Sequence, residues 1–375
     1  MSQMPTKGTF VLLHMVKSFP FSVPVRGMDG QQKSCEFGGS TRCRMSSQSI
    51  KYAIRHDWKN RMDGEKLRDF FGIRTNRIYD HLCSKLGDAK LARAVVKAIY
   101  DSKFDPKKKK DAKEGQSDYL IFTSDKEIDQ VVDIVKEHQV VEKDEKAAKA
   151  AMKAMKVALK SAKIGMTVDV ALFGRMQANA KDFDVYAASQ FSHAISVSPM
   201  AGEFDEFTAV DDLKAEDENA DSGAAHLNTT SANSACYYQY ASISFDKLVE
   251  SLGDDKELAV DAISELIASF ALSCPSGKMN SFAHRTLPDY LSVEIRESQP
   301  FSLVNAFESP VRGGNKGIVS GAIRRLLDYR QKLEDAYGDE IKSDKSFVIH
   351  TSDLDKKTLS LTAVQKAVVK ALLGE

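Results

Sequence analysis

The chain has 375 residues, 42% of them hydrophobic, and its 53 basic and 53 acidic side chains leave no net charge. That is the make-up of a globular protein with a sizeable core, in one large domain or two ordinary ones. No apolar run approaches the roughly 20 residues of a membrane helix, and the first residues lack the apolar block and cleavage site of a signal peptide, so a cytoplasmic protein without a membrane partner is expected.

Five cysteines, at 35, 43, 83, 236 and 274, form no C-x-x-C pair, and eight histidines fall at no metal-ligand spacing. Neither a disulfide framework nor a metal site nor any other cofactor is expected. The zero sum of charge hides segregation. Residues 1 to 60 carry nine Lys and Arg against three acids, whereas residues 201 to 222 carry nine acids against Lys214 alone.

Taken in chain order, TFVLLHMV (9–16) predicts a β-strand, and the alternating CEFGGSTRCRMS (35–46) a second extended segment. Ser46, Ser47 and Ser49 supply N-cap chemistry for a helix over SIKYAIRHDWKNRM, which holds the only tryptophan, Trp58. Residues 61 to 164 read as mostly helical and charged, with the lysine run at 107–115 as a solvated loop.

The segment 145–165 is rich in strong helix formers, and Lys146, Lys149, Lys153, Lys156, Lys160 and Lys163 recur at steps of three and four. At 100° per residue they share an arc of about 100°. Two readings stay open, a solvated face and a polyanion contact, because no acid follows Glu145 within the stripe. Beyond it, MTVDVALFG (166–174), SACYYQYASISF (234–245) and YLSVEIRE (290–297) alternate as strands, while 256–272 and 318–338 have helical period. The expected fold is α+β, a sheet with helices on one face, decorated by excursions at 61–164 and 198–226.

No G-x-S-x-G, P-loop or dinucleotide fingerprint is present. RGGNKG (312–317), with Arg312 and Lys316, could cradle one phosphate but reads more readily as an ordinary turn. Asp211 and Asp212 are a conceivable carboxylate pair inside an acidic segment that offers no fixed partner. The stretch from Arg26 to Arg55 differs from these. Arg26, Lys33, Arg42, Arg44, Lys51 and Arg55 bracket Gly38, Gly39 and a helix start carrying Ser46 and Gln48, a pattern suited to a ribose-phosphate backbone.

FGGSTRCRMSSQSIKYAIR (37–55) resembles the hallmark of the CasC family, the backbone subunit of the type I-E CRISPR surveillance complex Cascade. VDVALFGRM (168–176), FTAVDDL (207–213), AAHLNTTSANSACYYQYASI (224–243), PSGKMNSFA (275–283) and NAFE (305–308) follow in the family's order. The resemblance implies a hand-shaped, non-catalytic protein: an RRM-like (ferredoxin-like) palm at 1–60 and 165–375, a helical finger insertion at 61–164, and an acidic thumb at 198–226. It implies stacking head to tail along guide RNA (crRNA), with further copies of itself, other Cascade subunits and target DNA as partners.

Carried over by position, Arg26, Lys33, Gly38, Gly39, Arg42, Arg44, Ser46, Gln48, Lys51, Arg55 and Lys278 become guide-backbone contacts, and Met176 and Phe207 thumb wedges. Lys146, Lys149, Lys153, Lys156 and Lys160 become the place for target DNA. The chain departs from the family pattern at Val25-Arg26-Gly27-Met28-Asp29, at Tyr52, at Glu206 and at Asn228. A rival reading, an RNA-processing endoribonuclease on a related palm, needs a general base, and His14 is its only candidate.

Overall fold

The computed structural model describes residues 7–100, 120–137, 150, 153, 166–176, 184–209, 226–315, 317–341, 343–352, 354 and 357–375. Eleven strands are found among them, and nine form one sheet in which every pairing is antiparallel. The central strand is β1 (Phe10–Ser22), flanked by β9 (His226–Ser244) and β10 (Tyr290–Arg296), with β11 (Lys345–His350) at one edge. Beyond β9 come β7 (Ala194–Ser196), β3 (Ser40–Met45) and β2 (Ser34–Phe37), while β6 (Ser189–Phe191) and β8 (Glu203–Ala209) pair elsewhere along the long β9.

Side-chain alternation along these strands feeds two cores. Val11, Leu13, Met15, Ala241, Ile243, Leu291 and Val293 face a helical layer made by α1 (Ser47–Arg61), α8 (Lys256–Leu272) and α11 (Leu361–Leu373). Phe10, Leu12, Tyr238, Tyr240 and Tyr290 face the other way, against Leu303, Phe307 and Ala322, Ile323 and Leu326 of α10 (Gly317–Tyr337). Helices therefore cover both faces, which corrects the one-sided layer expected: the apolar stripe of α10 needs a partner, and the second sheet face is the surface available.

The helix over 256–272 forms at the predicted residues. Asp255 caps its start by accepting from Leu258 N–H at 2.9 Å, and buried Lys17 closes its end on the carbonyls of Ala271 and Ser273, both at 3.2 Å. Burial pushes the Lys17 ammonium down to about 8.

MTVDVALFG is not a strand. Val168–Phe173 is a one-and-a-half-turn helix, α6, with Val168 through Leu172 all buried. CEFGGSTRCRMS is two strands, since Gly38 and Gly39 at φ +58° and +67° turn β2 back on β3.

Within 61–164 the described elements are α2 (Gly64–Phe70), β4 (Ile73–Thr75), α3 (Ile78–Leu86), α4 (Ala89–Tyr100), β5 (Ile121–Thr123) and α5 (Asp125–Glu137). Ile78, Leu82, Val95, Val96, Ile121, Ile128, Val132 and Val135 form a separate core. The small β4–β5 sheet was not foreseen. Two buried arginines of the body tie this unit to it: Arg55, paired within the body to Asp169 at 2.6 Å, donates to the Gly72 carbonyl at 2.7 Å, and Arg175 donates to Glu127 at 2.8 Å. No described helix is long and apolar enough to cross a membrane.

Candidate nucleic-acid interface

Arg42 and Arg55, two of the expected backbone contacts, lie inside the subunit. Arg42 is 0% exposed, and its guanidinium donates to Ser40 Oγ and to the carbonyls of Ser196, Phe307 and Glu308 at 2.8–3.1 Å. Arg55 is 5% exposed and divides its donors between Asp169 and the Gly72 carbonyl at 2.7 Å. Both corrections have one cause. A guanidinium placed under returning chain satisfies buried acceptors that would otherwise be orphaned.

Gly38 likewise serves internal packing. A Cβ there would lie 1.6 Å from the Glu308 carbonyl oxygen, whereas a Cβ on Gly39 would meet nothing within 4 Å. The NAFE stretch therefore clamps the hairpin, and Gly39 alone leaves open main chain.

Ser46 too is buried, at 7% exposure, because it sits under the first turn of α1; the remaining expected contacts reach the surface, and a chain of contacts joins the cations among them. Lys51 is half-buried over the rings of Phe173 and Phe191, at 5.6 and 5.5 Å from their centres. Burial, then Arg74, lowers its ammonium below the usual lysine range. Two residues past Phe191, the His193 ring nitrogen Nδ1 lies 2.9 Å from Arg44 Nη1, and Arg44 Nε donates to the Ser34 carbonyl at 3.2 Å. The backbone N–H of Arg44 bonds the Lys33 carbonyl, and that of Lys33 bonds the Val25 carbonyl, beside exposed Arg26.

From Pro24 the path passes to Gly277, whose N–H reaches the Pro24 carbonyl at 3.2 Å; a Cβ on Gly277 would sit 2.4 Å from that oxygen. The next residue, Lys278, holds a left-handed φ of 50° and donates to Thr230 on β9 at 2.8 Å. Lys51, Arg44, Lys33, Arg26 and Lys278 thus follow one another along the surface.

At the start of α1, Gln48 is exposed, while the buried Ser46 shares its hydroxyl with Ser49 at 3.1 Å. Tyr52, which departs from the family pattern, is exposed and lies against His56 with ring centres 4.0 Å apart and planes tilted by 38°.

His193 and Arg74 were missed. Arg74 stands on β4 over the Phe122 ring at 4.5 Å, held below the usual arginine range by burial and then by Arg55. Neither belongs to a motif; strand pairing brings both to the path.

Met176 is 87% exposed just after the Arg175–Val185 bridge, and Phe207 is 46% exposed on β8, opposite Asn228 of β9. Lys153 is helical and exposed. Lys146, Lys149, Lys156 and Lys160, together with Asp211, Asp212 and Lys316, lie outside the described residues.

His14 is 1% exposed under α10, with Nδ1 2.8 Å from the Tyr238 hydroxyl and Nε2 3.8 Å from Glu294. Burial brings it down to about 4. A base that attacks RNA must reach it, so His14 is a core histidine and the nomination is withdrawn. No cluster of potential metal ligands occurs among the described residues.

The fold has solved counterparts. One is a chain described as a CRISPR RNA-guided surveillance complex, pre-nicking, with TM-score 0.78 and 29% identity, covering 97% of this chain and 100% of that one. A second, described as a CRISPR RNA-guided surveillance complex, gives TM-score 0.70 and 25% identity over 96% of this chain and 99% of the other. No curated protein matches in sequence. The mixed α/β architecture around one large antiparallel sheet is that of a CRISPR surveillance-complex subunit, which makes this a Cascade-type CRISPR protein. The chain belongs to the family of CT1975-like proteins, whose model matches residues 11–374.

Proposed function

We propose that this protein is the guide-RNA-binding backbone subunit of a type I-E complex, of the CasC kind, and carries out no reaction of its own. The observation that carries the reading is the surface path Lys51, His193, Arg44, Lys33, Arg26, Lys278, whose members come from four separate stretches of sequence. Cations and exposed main chain so arranged hold a ribose-phosphate strand without reading its bases, and leave specificity to base pairing.

The rest of the expected anatomy fits this frame. The order β10-β1-β9-β7, with α1 and α8 on one face, supports the reading of an RRM-like palm, whose pattern is β-α-β-β-α-β. The unit between 61 and 164, with its own core, is the finger. The β8–β9 ribbon carrying Phe207 is the base of the acidic thumb, which docks on basic surface of the next copy; unlike patches meeting head to tail make an open helical filament. Other Cascade subunits complete the particle, and target DNA pairs with the presented guide along the finger lysines.

The test is the salt dependence of affinity of the full chain for a single-stranded RNA. Each neutralised phosphate contributes about 0.7 to the slope of log K against log salt, so the five cations of the path give roughly 3.5. A slope near zero removes the electrostatic model.

A further inference from the structure

We infer that His193 is a positioning residue for the guide strand: in its neutral form it accepts a hydrogen bond from Arg44 and aims that guanidinium at a phosphate, so that protonating His193 releases RNA. This rests on the reading of the path as a guide-RNA surface and adds a residue and a mode of control to it.

The geometry fixes the direction of the bond. Arginine has only donors, so Nδ1 of His193, 2.9 Å from Arg44 Nη1, must present its lone pair, and the imidazole there is neutral. A second acceptor, the Ser34 carbonyl, takes Nε of the same guanidinium at 3.2 Å. Held at two points by β2 and by the residue preceding β7, the planar group loses its rotational freedom, and Nη2, which has no hydrogen-bond partner among the described residues, is left to bind an anion. Preorganisation of this kind raises affinity by removing the ordering cost from the binding step.

Protonation turns the acceptor into a donor. The charged groups that face His193 are Arg44 of β3 and Lys33 just before β2, both cationic, so an imidazolium repels the guanidinium it held. Burial, then Arg44 and Lys33, keeps the ring below its ordinary 6.5, which leaves it neutral near pH 7.

This behaviour is opposite in sign to that of a histidine serving as one more cation. A cation on an RNA path strengthens binding as it gains charge. A positioning acceptor weakens it.

The experiment measures affinity of the full chain for a fluorescein-labelled single-stranded RNA at constant ionic strength from pH 8 to pH 5, for wild type, His193→Asn and His193→Phe. The asparagine side-chain oxygen stands near the place of Nδ1 and accepts at every pH; phenylalanine fills the space without an acceptor. Wild-type affinity is expected to fall below pH 6.5, His193→Asn to hold wild-type affinity without that fall, and His193→Phe to bind roughly tenfold more weakly at pH 7.5, the loss of one charge-assisted hydrogen bond. Adding Arg44→Ala to His193→Phe should then cost less than Arg44→Ala costs in the wild type.

Binding that tightens as pH falls, or equal affinities for the Asn and Phe variants, overturns the assignment. If His193→Phe does not fold, the pH profiles of wild type and His193→Asn decide it alone, and identical profiles overturn it. Absence of RNA binding by the wild type at every pH would instead overturn the guide-binding reading on which it rests.

Discussion

The carbonyl oxygen of Glu308 occupies the space where a side chain on Gly38 would begin, 1.6 Å from the ideal Cβ position. The FGG turn and the NAFE segment, 270 residues apart in sequence, are therefore one structural device, which holds the β2–β3 hairpin at the angle that carries Arg44 and Lys33 to the surface.

Gly38→Ala and Gly39→Ala should differ in cost although both positions have positive φ. The Gly39 variant bears only left-handed backbone strain, about 1–2 kcal/mol. The Gly38 variant must also displace main chain at Glu308, and should lose clearly more in urea unfolding. Equal losses would show that the clamp is soft.

Arg42 and Arg55 should behave as core residues and Arg44 and Lys33 as binding residues. Asp169→Ala removes the partner of Arg55 and of the Gly72 N–H, and leaves a buried unpaired charge worth about 3–5 kcal/mol of stability. Arg42→Ala strands three carbonyls and is expected to lower the melting temperature by several degrees. Arg44→Ala with Lys33→Ala should leave thermal unfolding near wild type and weaken RNA binding. Should all four substitutions destabilise the fold equally, that division between core and surface is wrong.

His14 ties stability to pH. Its folded-state value of about 4 lies below the ordinary 6.5, so between those limits the unfolded chain binds a proton that the folded chain refuses. Stability is full above 6.5 and falls as pH drops toward 4, by about 3 kcal/mol at 1.36 kcal/mol per unit. Urea unfolding of His14→Gln, compared with wild type at pH 7 and pH 4.5, should show a shallower loss in the variant.

Phe207→Ala should leave the isolated subunit within about 0.5 kcal/mol of wild type, because the ring is largely solvent-facing on the β8–β9 ribbon. If Phe207 is a thumb wedge, the same substitution shortens assemblies on guide RNA in analytical ultracentrifugation. Full-length assemblies would assign the ring another role.

Replacing Lys149, Lys153 and Lys156 with Glu should reduce capture of target DNA and leave guide-bound assemblies intact. Loss of the assemblies in native gels would place these lysines with the guide.

Long periodic segments were legible in the sequence: β1, α1, α8, β10 and α10 form where alternation or helical period placed them. Val168–Phe173 was misread because a short helix buried all round shows no polar face from which its period could be read. Strand parity puts Arg42 and Arg44 on the same side of β3, and a spacing of four puts Lys51 and Arg55 on the same side of α1. Only distant chain separates the members of each pair: Phe307 and Glu308 close over Arg42, and Gly72 and Asp169 over Arg55. His193 was invisible for the same reason, since its significance comes from a side-chain partner 149 positions away.

The helical unit with its own core meets the body through the Arg55–Gly72 hydrogen bond and the Arg175–Glu127 pair, and in each the arginine belongs to the body and is nearly sealed from water. Such a joint is chemically narrow. A graft exchanging this unit between related chains must bring an acid to position 127 and a free carbonyl to position 72, or it leaves a stranded charge at the seam. Within those two conditions its outer surface can be rewritten without disturbing the body, which makes it the natural place for variants of one scaffold to diverge.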